Sequence, residues 1–314
     1  MRMNRFMYVL KWNAVKLCNK LSHRKYAFKK YLGQRILSAE EGNDLLKEAI
    51  QNGEPFMAGR FGATELNTMV KFENSSKQHS QKQNAALQQL GTWSGFFPLD
   101  YDSAHKFVDI MEQAIESIDL IGVWFNPMED YIIGQYEKTI PKTCMLESLE
   151  PYYFEQPWTS ALRGKKVLVI HPFAKEIESQ YEKREKLFPN KTDVLPEFEL
   201  TTIKAVQTIA GEKDERFASW FDALDYMYKE AMKCDFDVAI IGCGAYGFPL
   251  AARLKQAGKI TVHMGGALQI LFGIRGSRWD NIPQFQALFN EYWVHPSPED
   301  IPGKSKTVEN GCYW

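Results

Sequence analysis

The chain has 314 residues, 45% of them hydrophobic and 25% charged, which is the balance of a globular protein with a sizeable core. Its five cysteines are scattered and never form a C-x-x-C pair, so the sequence favours neither a disulfide framework nor a zinc knuckle and indicates a reducing cytoplasm. The net charge of -1 conceals an asymmetry, because residues 1–39 hold ten Lys or Arg and no acid. A basic arm therefore precedes an acidic body.

The arm is predicted to form a basic amphipathic helix. Apolar residues recur at helical spacing on one face: Phe6, Met7, Leu10, Ala14, Leu17, Cys18 and Leu21. Basic residues flank that face: Arg2, Arg5, Lys16, Lys20 and Arg24. The apolar run at residues 6–10 is too short for a signal-peptide core or a membrane span. Two interpretations are open: residues 1–30 lie on an anionic membrane surface, or the helix packs on the body and leaves a solvated basic rim.

Nucleic acid is a weaker candidate partner for the arm, because the acidic body would repel a phosphate backbone. We therefore expect no nucleic acid partner. The expected location of the protein is the cytoplasm, and the membrane interpretation of the arm adds peripheral attachment to the inner face of the membrane.

Predicted helices and strands alternate along the body. A capping box of Ser38 and Glu41 begins a helix that ends near residue 51. Further helices are predicted from residue 63 and over residues 103–117, 158–163, 174–188, 217–233 and 249–256. The predicted strands span residues 54–60, 119–125, 143–147, 167–170, 199–207, 238–241 and 260–264. Residues 73–89 show no obvious core pattern, and residues 91–102 are interpreted as an aromatic loop.

This alternation predicts an α/β fold, with a Rossmann-like, mostly parallel sheet and helices on both of its faces. The sequence contains no internal repeat and no low-complexity linker. The simplest division of the chain is a basic arm over residues 1–39 and a single α/β domain over residues 40–314.

The segment IIGCGAYGFPLAARL carries Gly242, Gly244 and Gly247 in the spacing G-x-G-x-x-G, between a predicted strand and a predicted helix. A dinucleotide site also needs an acid about 20 residues further on, yet no Asp or Glu occurs from residue 248 to residue 279. A nicotinamide cofactor is therefore disfavoured. Either the loop presents helix amides to a phosphate, with Tyr246 and His263 as neighbouring contacts, or it only permits a tight turn and close packing.

A second loop of this kind, GRFGATELN, follows the strand predicted at residues 54–60. Arg60 ends the strand, Gly62 releases the chain into a helix, and Thr64 and Glu65 lie in the first helical turn. Arg60 and the helix amides are suited to clamp a diphosphate, and Glu65 is suited to reach a metal or a sugar hydroxyl. Alternatively, Glu65 only complements the helix dipole and pairs with Arg60.

The segment RFGATE resembles the RFGDGE segment of GT-D glycosyltransferases, bacterial enzymes that move sugars from nucleotide donors during surface-glycan synthesis. Later segments follow in a similar order over residues 54–275: VLVIHP, IKAVQT, DVAIIGCGAYGFPLAARLKQAG and HMGGAL. WVHPSPEDIP and VENGCYW resemble the closing segments of a largely uncharacterised branch of this group. The resemblance implies a GT-D-like fold, a nucleotide-diphosphate sugar as donor, and a surface-glycan or lipid-linked acceptor.

The family pattern associates an aspartate and a glutamate with metal and donor binding, and here Ala63 replaces the aspartate while Glu65 keeps the glutamate. A single carboxylate is a poor site for Mg²⁺ or Mn²⁺, which take several oxygen ligands. Two hypotheses follow. Either Glu65 still contributes to a divalent metal site, or Arg60 and the helix amides balance the leaving diphosphate without a metal.

Sugar transfer with inversion needs a group that takes the acceptor proton. The candidates lie at the start of a helix or the end of a predicted strand: Glu65, Glu129, Asp130 and His171, with Glu147 as runner-up. No spacing rule selects among them. The aromatic residues Trp93, Phe96 and Phe97 either stack on a base or sugar or anchor their own loop.

The leading hypothesis is a membrane-associated glycosyltransferase of hexosyltransferase type that acts in polysaccharide biosynthesis. The alternative is a catalytically idle α/β protein that binds a nucleotide or a partner in polysaccharide assembly, because Ala63 breaks the acid pair. A redox enzyme is a distant third reading, since the glycine spacing lacks its ribose-binding acid.

Overall fold

The computed structural model describes residues 4–23, 26, 28–73, 80–136 and 139–314. Arg2 and Arg24 of the predicted basic rim lie outside these residues. A short antiparallel hairpin, β1 and β2, precedes a sheet of seven parallel strands. The strands are β1 Lys30–Tyr31, β2 Gln34–Arg35, β3 Phe56–Gly59, β4 Leu120–Val123, β5 Lys142–Met145, β6 Lys166–His171, β7 Glu199–Lys204, β8 Val238–Ile241 and β9 Ile260–His263.

The predicted helices occur in order, with some differences. The segment predicted at residues 158–163 is a 3₁₀ turn, the helix predicted over 174–188 divides into two, and a helix over 129–136 and three short helices after residue 267 were not predicted. Ser38 and Glu41 form the predicted capping box at the start of the second helix. The α-helices are α1 Arg5–Ser22, α2 Ala39–Asn52, α3 Ala63–Phe72, α4 Gln81–Ser94, α5 Tyr101–Ile115, α6 Glu129–Tyr136, α7 Ala174–Tyr181, α8 Arg184–Leu187, α9 Trp220–Lys233, α10 Gly247–Gln256, α11 Leu268–Leu271, α12 Ser277–Asp280 and α13 Pro283–Gln286.

The main sheet is buried on both faces. Its spatial order is β5-β4-β3-β9-β8-β6-β7, and every neighbouring pair is parallel. Successive strand residues point to opposite faces, so Met57 and Ala58 belong to different hydrophobic clusters, as do Ala239 and Ile240. Helices such as α3 and α5 cover one cluster, and α2 and α7 cover the other. The prediction of a parallel α/β sheet with helices on both faces is confirmed.

The direction of the chain reverses within the sheet between β6 and β8. After β6 the chain continues outward to β7, whereas after β8 it continues through α10 in the other direction to β9. The loops that leave the carboxyl ends of β6 and β8 therefore diverge and open a crevice above the sheet edge. Ligands of open α/β sheets bind in crevices of this kind.

Residues 73–89 show no core pattern in the sequence; of these, residues 74–79 lie outside the described part of the chain and residues 81–89 belong to α4. Ser80 caps α4, and its hydroxyl and the Gln83 side chain form a second capping box. Ala86, Leu87 and Leu90 are buried on one side of the helix. Because α4 extends to Ser94, the aromatic loop predicted from residue 91 begins only at residue 95.

Helix α1 forms as predicted, but it packs on the body through a different face from the predicted apolar one. Trp12 is its only buried side chain among the described residues, and Tyr8 and Val15 pack beside it. The predicted face is exposed, including Phe6 and Leu21. No helix in the described part of the chain has the length and apolar character needed to cross a bilayer.

Candidate active site

A cavity of about 340 Å³ opens at the carboxyl edge of the sheet. Parallel strands bring their carboxyl ends to one edge, and the segments that follow β3, β4, β6, β7, β8 and β9 all contribute to its wall. Most of the residues singled out in the sequence line this cavity: Arg60, Gly62, Thr64, Glu65, His171, Gly244, Tyr246 and His263. The two glycine loops therefore face one common space.

Arg60 places a positive charge in the wall of the cavity. Its Nε donates to the carbonyl oxygen of Met264 at 3.1 Å, and the guanidinium carbon lies 4.4 Å from the ring centroid of Trp124. Removal from bulk water lowers the pKa of Arg60. No carboxylate in the described part of the chain lies within ion-pair distance of this guanidinium.

Gly265 makes room for the Arg60 guanidinium. A Cβ atom at residue 265 would lie 2.1 Å from one of its terminal nitrogens, and the backbone φ of Gly265 is +64°, which side chains rarely adopt. Gly265, which follows β9, thus makes space for the arginine that follows β3, the neighbouring strand in the sheet.

Glu65 is a buried carboxyl group in the first turn of α3. Burial raises its pKa, while hydrogen bonds from its own backbone amide and from Ser94 and the charge of Arg60 act in the opposite direction. The side chain folds back over Gly62, where a Cβ atom would lie 1.8 Å from Glu65 Oε2. Glycine at position 62 is therefore what allows the carboxylate to lie inward.

The carboxyl groups of the cavity do not form a divalent metal site. Ala63 is exposed in the wall, so the position that holds an aspartate in the family pattern supplies no ligand. In the described part of the chain, no group of three or more His, Cys, Asp or Glu side chains is arranged to hold a metal. Glu65 alone does not fit Mg²⁺ or Mn²⁺, which take several oxygen ligands.

The two histidines of the cavity are neutral near pH 7. Burial lowers the pKa of His171 to about 3, and burial together with the charge of Arg60 does the same for His263. The Nδ1 atom of His171 accepts a hydrogen bond from the Phe173 amide at 3.1 Å, so the proton is assigned to Nε2. His171 is thus equipped as a hydrogen-bond donor, and its lone pair is not available to a substrate proton.

His263 has a buried Nδ1 atom with no hydrogen-bond partner among the described residues. Gly247 lies against this ring, because a Cβ atom at residue 247 would be 2.4 Å from Nδ1. Gly242 and Gly244 line the cavity, but Gly247 does not. The role of Gly247 is therefore to permit close packing against the His263 ring. Helix α10 begins at Gly247, two residues before the predicted start.

Tyr246 faces the cavity but is held in place by its neighbours. Its ring stacks on Trp220, with centroids 5.0 Å apart and planes 9° apart. Its hydroxyl lies 3.0 Å from Thr208 Oγ1, which donates to the Gly95 carbonyl. This network fixes the position of the ring and leaves its edge as part of the cavity wall.

Glu129 and Asp130 lie outside the cavity and bind other parts of the chain. Glu129 is completely buried, and its carboxylate accepts hydrogen bonds from the amides of Trp124 and Phe125 and from the Tyr31 hydroxyl. Asp130 accepts a hydrogen bond from Trp12 Nε1 at 2.8 Å and pairs with Lys11. Because protein groups occupy both carboxylates, these two acids are no longer candidates for the catalytic base.

The aromatic candidates also differ in whether they line the cavity or pack against other parts of the chain. Trp93 lines the cavity and is exposed. Phe96 is buried and packs edge-on against Phe107 and in a tilted arrangement against Trp220, so it anchors its loop. The runner-up acid, Glu147, is exposed and does not line the cavity.

Part of the wall comes from the C-terminal segment, which sequence reasoning did not assign to the site. Arg278, Glu309, Tyr313 and Trp314 all line the cavity. Arg278 pairs with Glu309, and its guanidinium carbon lies 4.6 Å from the ring centroid of Tyr313. The sequence signal was the resemblance of VENGCYW to the closing segment of the family branch, but nothing in its spacing points to this site.

Comparison with known proteins gives a family for this chain. The family described as a GT-D fold-like domain matches residues 37–271. A selenomethionine structure of domain of unknown function 1792 shares 10% identity, covering 74% of this chain and 78% of its own, with a TM-score of 0.43. Another, reported to have a distinct glycosyltransferase fold, shares 11% identity, covering 73% and 77%, with a TM-score of 0.44. None of the curated proteins matches. The family match spans well over half of the sequence, and the chain belongs to the GT-D-like family.

Proposed function

We propose that this protein transfers a sugar from a nucleoside-diphosphate donor that binds in the cavity at the carboxyl edge of the sheet. The observation that carries this proposal is Arg60, a guanidinium in the cavity wall with no carboxylate at ion-pair distance among the described residues. Removing this charge from water is costly, and Glu65 and Glu150 attract it only from beyond ion-pair distance, so its retention favours an anionic ligand. A diphosphate supplies that charge and matches the planar guanidinium.

Two further groups supplement the charge of Arg60. Arg278 lines the same cavity, although Glu309 partly neutralises it. The Nε2–H group of His171 is a neutral donor suited to a phosphate oxygen. In this proposal these groups, rather than a protein-bound metal, stabilise the charge that develops on the leaving diphosphate.

Glu65 is the proposed catalytic base. In a single displacement, the acceptor hydroxyl oxygen bonds to the anomeric carbon as the bond from that carbon to the diphosphate oxygen breaks. The hydroxyl proton passes to the Glu65 carboxylate, and the nucleoside diphosphate leaves with its electron pair. A carboxyl group whose pKa is raised by burial is a stronger base than an exposed one. The proposed acceptor is a hydroxyl of a surface glycan or of a lipid-linked sugar.

The donor proposal is tested by thermal shift and calorimetry against UDP, GDP, CMP and NAD(P). We expect stabilisation by at least one nucleoside diphosphate and loss of that response in Arg60→Ala. Arg163→Ala is the matched control, because Arg163 is exposed and pairs with Asp193 outside the cavity. A response to NAD(P) alone, or to none of the ligands by a folded protein, would refute the proposal.

A second candidate function is binding of a nucleotide or a partner without catalysis, favoured by the exposed alanine at position 63. The variant Ala63→Asp restores the acid pair of the family pattern in the cavity wall. Turnover of a sugar nucleotide by the wild-type protein, measured with and without Mn²⁺, supports the enzyme. Turnover that requires both Ala63→Asp and Mn²⁺ supports the non-catalytic function.

A further inference from the structure

Helix α1 is held on the body by one face. Trp12 Nε1 donates to Asp130 and Lys11 pairs with the same carboxylate, while the Tyr8 ring lies 5.3 Å from that of Tyr131. Near the start of the helix, Arg5 donates to the Val70 carbonyl at 3.0 Å. These contacts fix both the position of the helix and its rotation about its own axis.

The opposite face of α1 is apolar, and the residues that the structure describes leave it uncovered. With about 100° between successive residues, the stripe of Phe6, Leu10, Ala14, Leu17 and Leu21 falls within about 80° of the helix circumference. This stripe points away from the face that carries Tyr8, Trp12 and Val15. Its large side chains are strongly exposed, with 66% for Phe6 and 72% for Leu21.

The exposure is concentrated on this helix. Of thirteen exposed large apolar side chains in the described part of the chain, six lie on α1. Single exposed apolar residues are ordinary, but an aligned set on one helix marks an interaction surface. The other face of α1 already provides its contacts with the body, so no described part of the chain is left to cover the stripe.

Charge identifies the partner. Lys16 and Lys20 lie beside the stripe, whereas Arg5 is turned toward the body and pairs with Glu73, and residues 1–39 contain no acid. A second copy of α1 would bring the same positive charges to the contact, which disfavours a symmetric helix pair. A bilayer with anionic headgroups provides both an apolar interior for the stripe and negative charge for its border.

We propose that α1 lies in the surface of an anionic bilayer through Phe6, Leu10, Leu17 and Leu21, while Trp12 and Lys11 keep it attached to the body. The helix is already folded and docked, so membrane binding requires no rearrangement of the body. This inference does not depend on sugar transfer, because it concerns a face remote in sequence from the cavity residues and is measured without substrate.

The test is flotation of the full-length protein with vesicles of phosphatidylcholine alone or with about a third phosphatidylserine. We expect at least a tenfold higher bound-to-free ratio on the anionic vesicles. The double variant Leu10→Asp/Leu17→Asp should lose this binding, and Lys16→Glu/Lys20→Glu should reduce it at low salt. Full-length variants are preferable to deletion of the arm, because Trp12 is part of the core.

The control variant is Met232→Asp, which changes an exposed apolar residue on α9 and should bind like the wild type. Circular dichroism melts establish that the variants fold, as expected for exposed positions. Equal flotation of wild type and Leu10→Asp/Leu17→Asp, or no flotation with anionic vesicles, overturns the proposal. A dimer in light scattering that Leu10→Asp/Leu17→Asp dissociates, without flotation of the wild type, also overturns it and assigns the stripe to a second copy.

Discussion

Two neighbouring strands of the sheet, β3 and β4, are each followed by a helix with acids in its first turn, yet the acids have opposite fates. After β3, Glu65 lies in the cavity wall with a raised pKa. After β4, Glu129 is enclosed by backbone amides and Tyr31, and Asp130 is held by Lys11 and Trp12. The same position relative to the sheet gives a candidate base in one case and structural anchors in the other.

The difference comes from partners that are distant in sequence. Lys11, Trp12 and Tyr31 reach the β4 loop from about a hundred residues away in the chain. In the described part of the arm no equivalent group interacts with Glu65, which is influenced by its own backbone amide, Ser94 and Arg60. An acid at the carboxyl edge is therefore a candidate for catalysis only when the rest of the chain leaves it open to a cavity.

The largest expected effect is on catalysis by the acid in the cavity. Glu65→Gln keeps the shape of the side chain but removes the base, so kcat for sugar transfer should fall by about 10²–10⁴-fold. Steady-state kinetics with the nucleotide sugar identified by the binding screen measures this change, and the UDP or GDP thermal shift should persist.

The control for this variant is Glu147→Gln, which changes an exposed acid after β5 that lies outside the cavity. Its kcat should match that of the wild type. If Glu65→Gln retains wild-type kcat, Glu65 is not the base, and the contrast between the two acidic loops would have no catalytic meaning.

The next effect is on stability and concerns the anchoring acid. Asp130→Ala leaves Trp12 Nε1 buried without an acceptor and Lys11 without its partner, so the free energy of unfolding should fall by about 1–3 kcal/mol. Urea unfolding followed by fluorescence measures the loss. Asp235→Ala serves for comparison, because its pair with Lys166 is exposed and screened by water, so its loss should be much smaller. Equal losses in the two variants would contradict an anchoring role for Asp130.

The third effect is a pH dependence of stability. Burial raises the pKa of Glu129 to about 7 from a usual value of 4.5, so the folded protein holds a proton there that the unfolded chain releases. This contribution to stability is fully present below pH 4.5 and is lost as pH rises through 7. In Glu129→Gln, the decline in unfolding free energy between those pH values should be shallower by up to about 1.4 kcal/mol per pH unit.

Urea titrations at several pH values measure this slope for the wild type and Glu129→Gln. Glu147→Gln should leave the slope unchanged, since Glu147 is exposed. A wild-type slope retained in Glu129→Gln would show that Glu129 is charged at neutral pH in the folded protein.

The sequence was sufficient to predict the strands and most helices, because hydrophobic runs and capping residues are local signals. The strand at residues 238–241 has the predicted bounds, and the Ser38 capping box is present. Helix α4 was missed although Ser80 and Gln83 carry the same capping signal, because its first residues are polar. Arg278 and Tyr313 were missed because only tertiary folding brings the C-terminal segment to the cavity.

The orientation of α1 on the body also depends on tertiary contacts that the sequence pattern does not reveal. The periodicity of the sequence predicted the helix. In the structure its largest apolar face points outward, because Trp12 and Lys11, on another face, bind Asp130 of the body. Periodicity ranks faces by hydrophobicity, whereas packing depends on which side chains meet a partner of matching shape and charge.

The contact between Gly62 and Glu65 also has a consequence for how related sequences vary. Position 62 has an ordinary backbone conformation, so glycine is required there only by the carboxylate that lies over it. A relative that keeps the inward glutamate should keep the glycine, and a relative that has lost the glutamate is free to vary at both positions. Covariation of these two positions therefore gives a criterion, readable from sequences alone, for which members of the family hold a carboxylate inside the cavity.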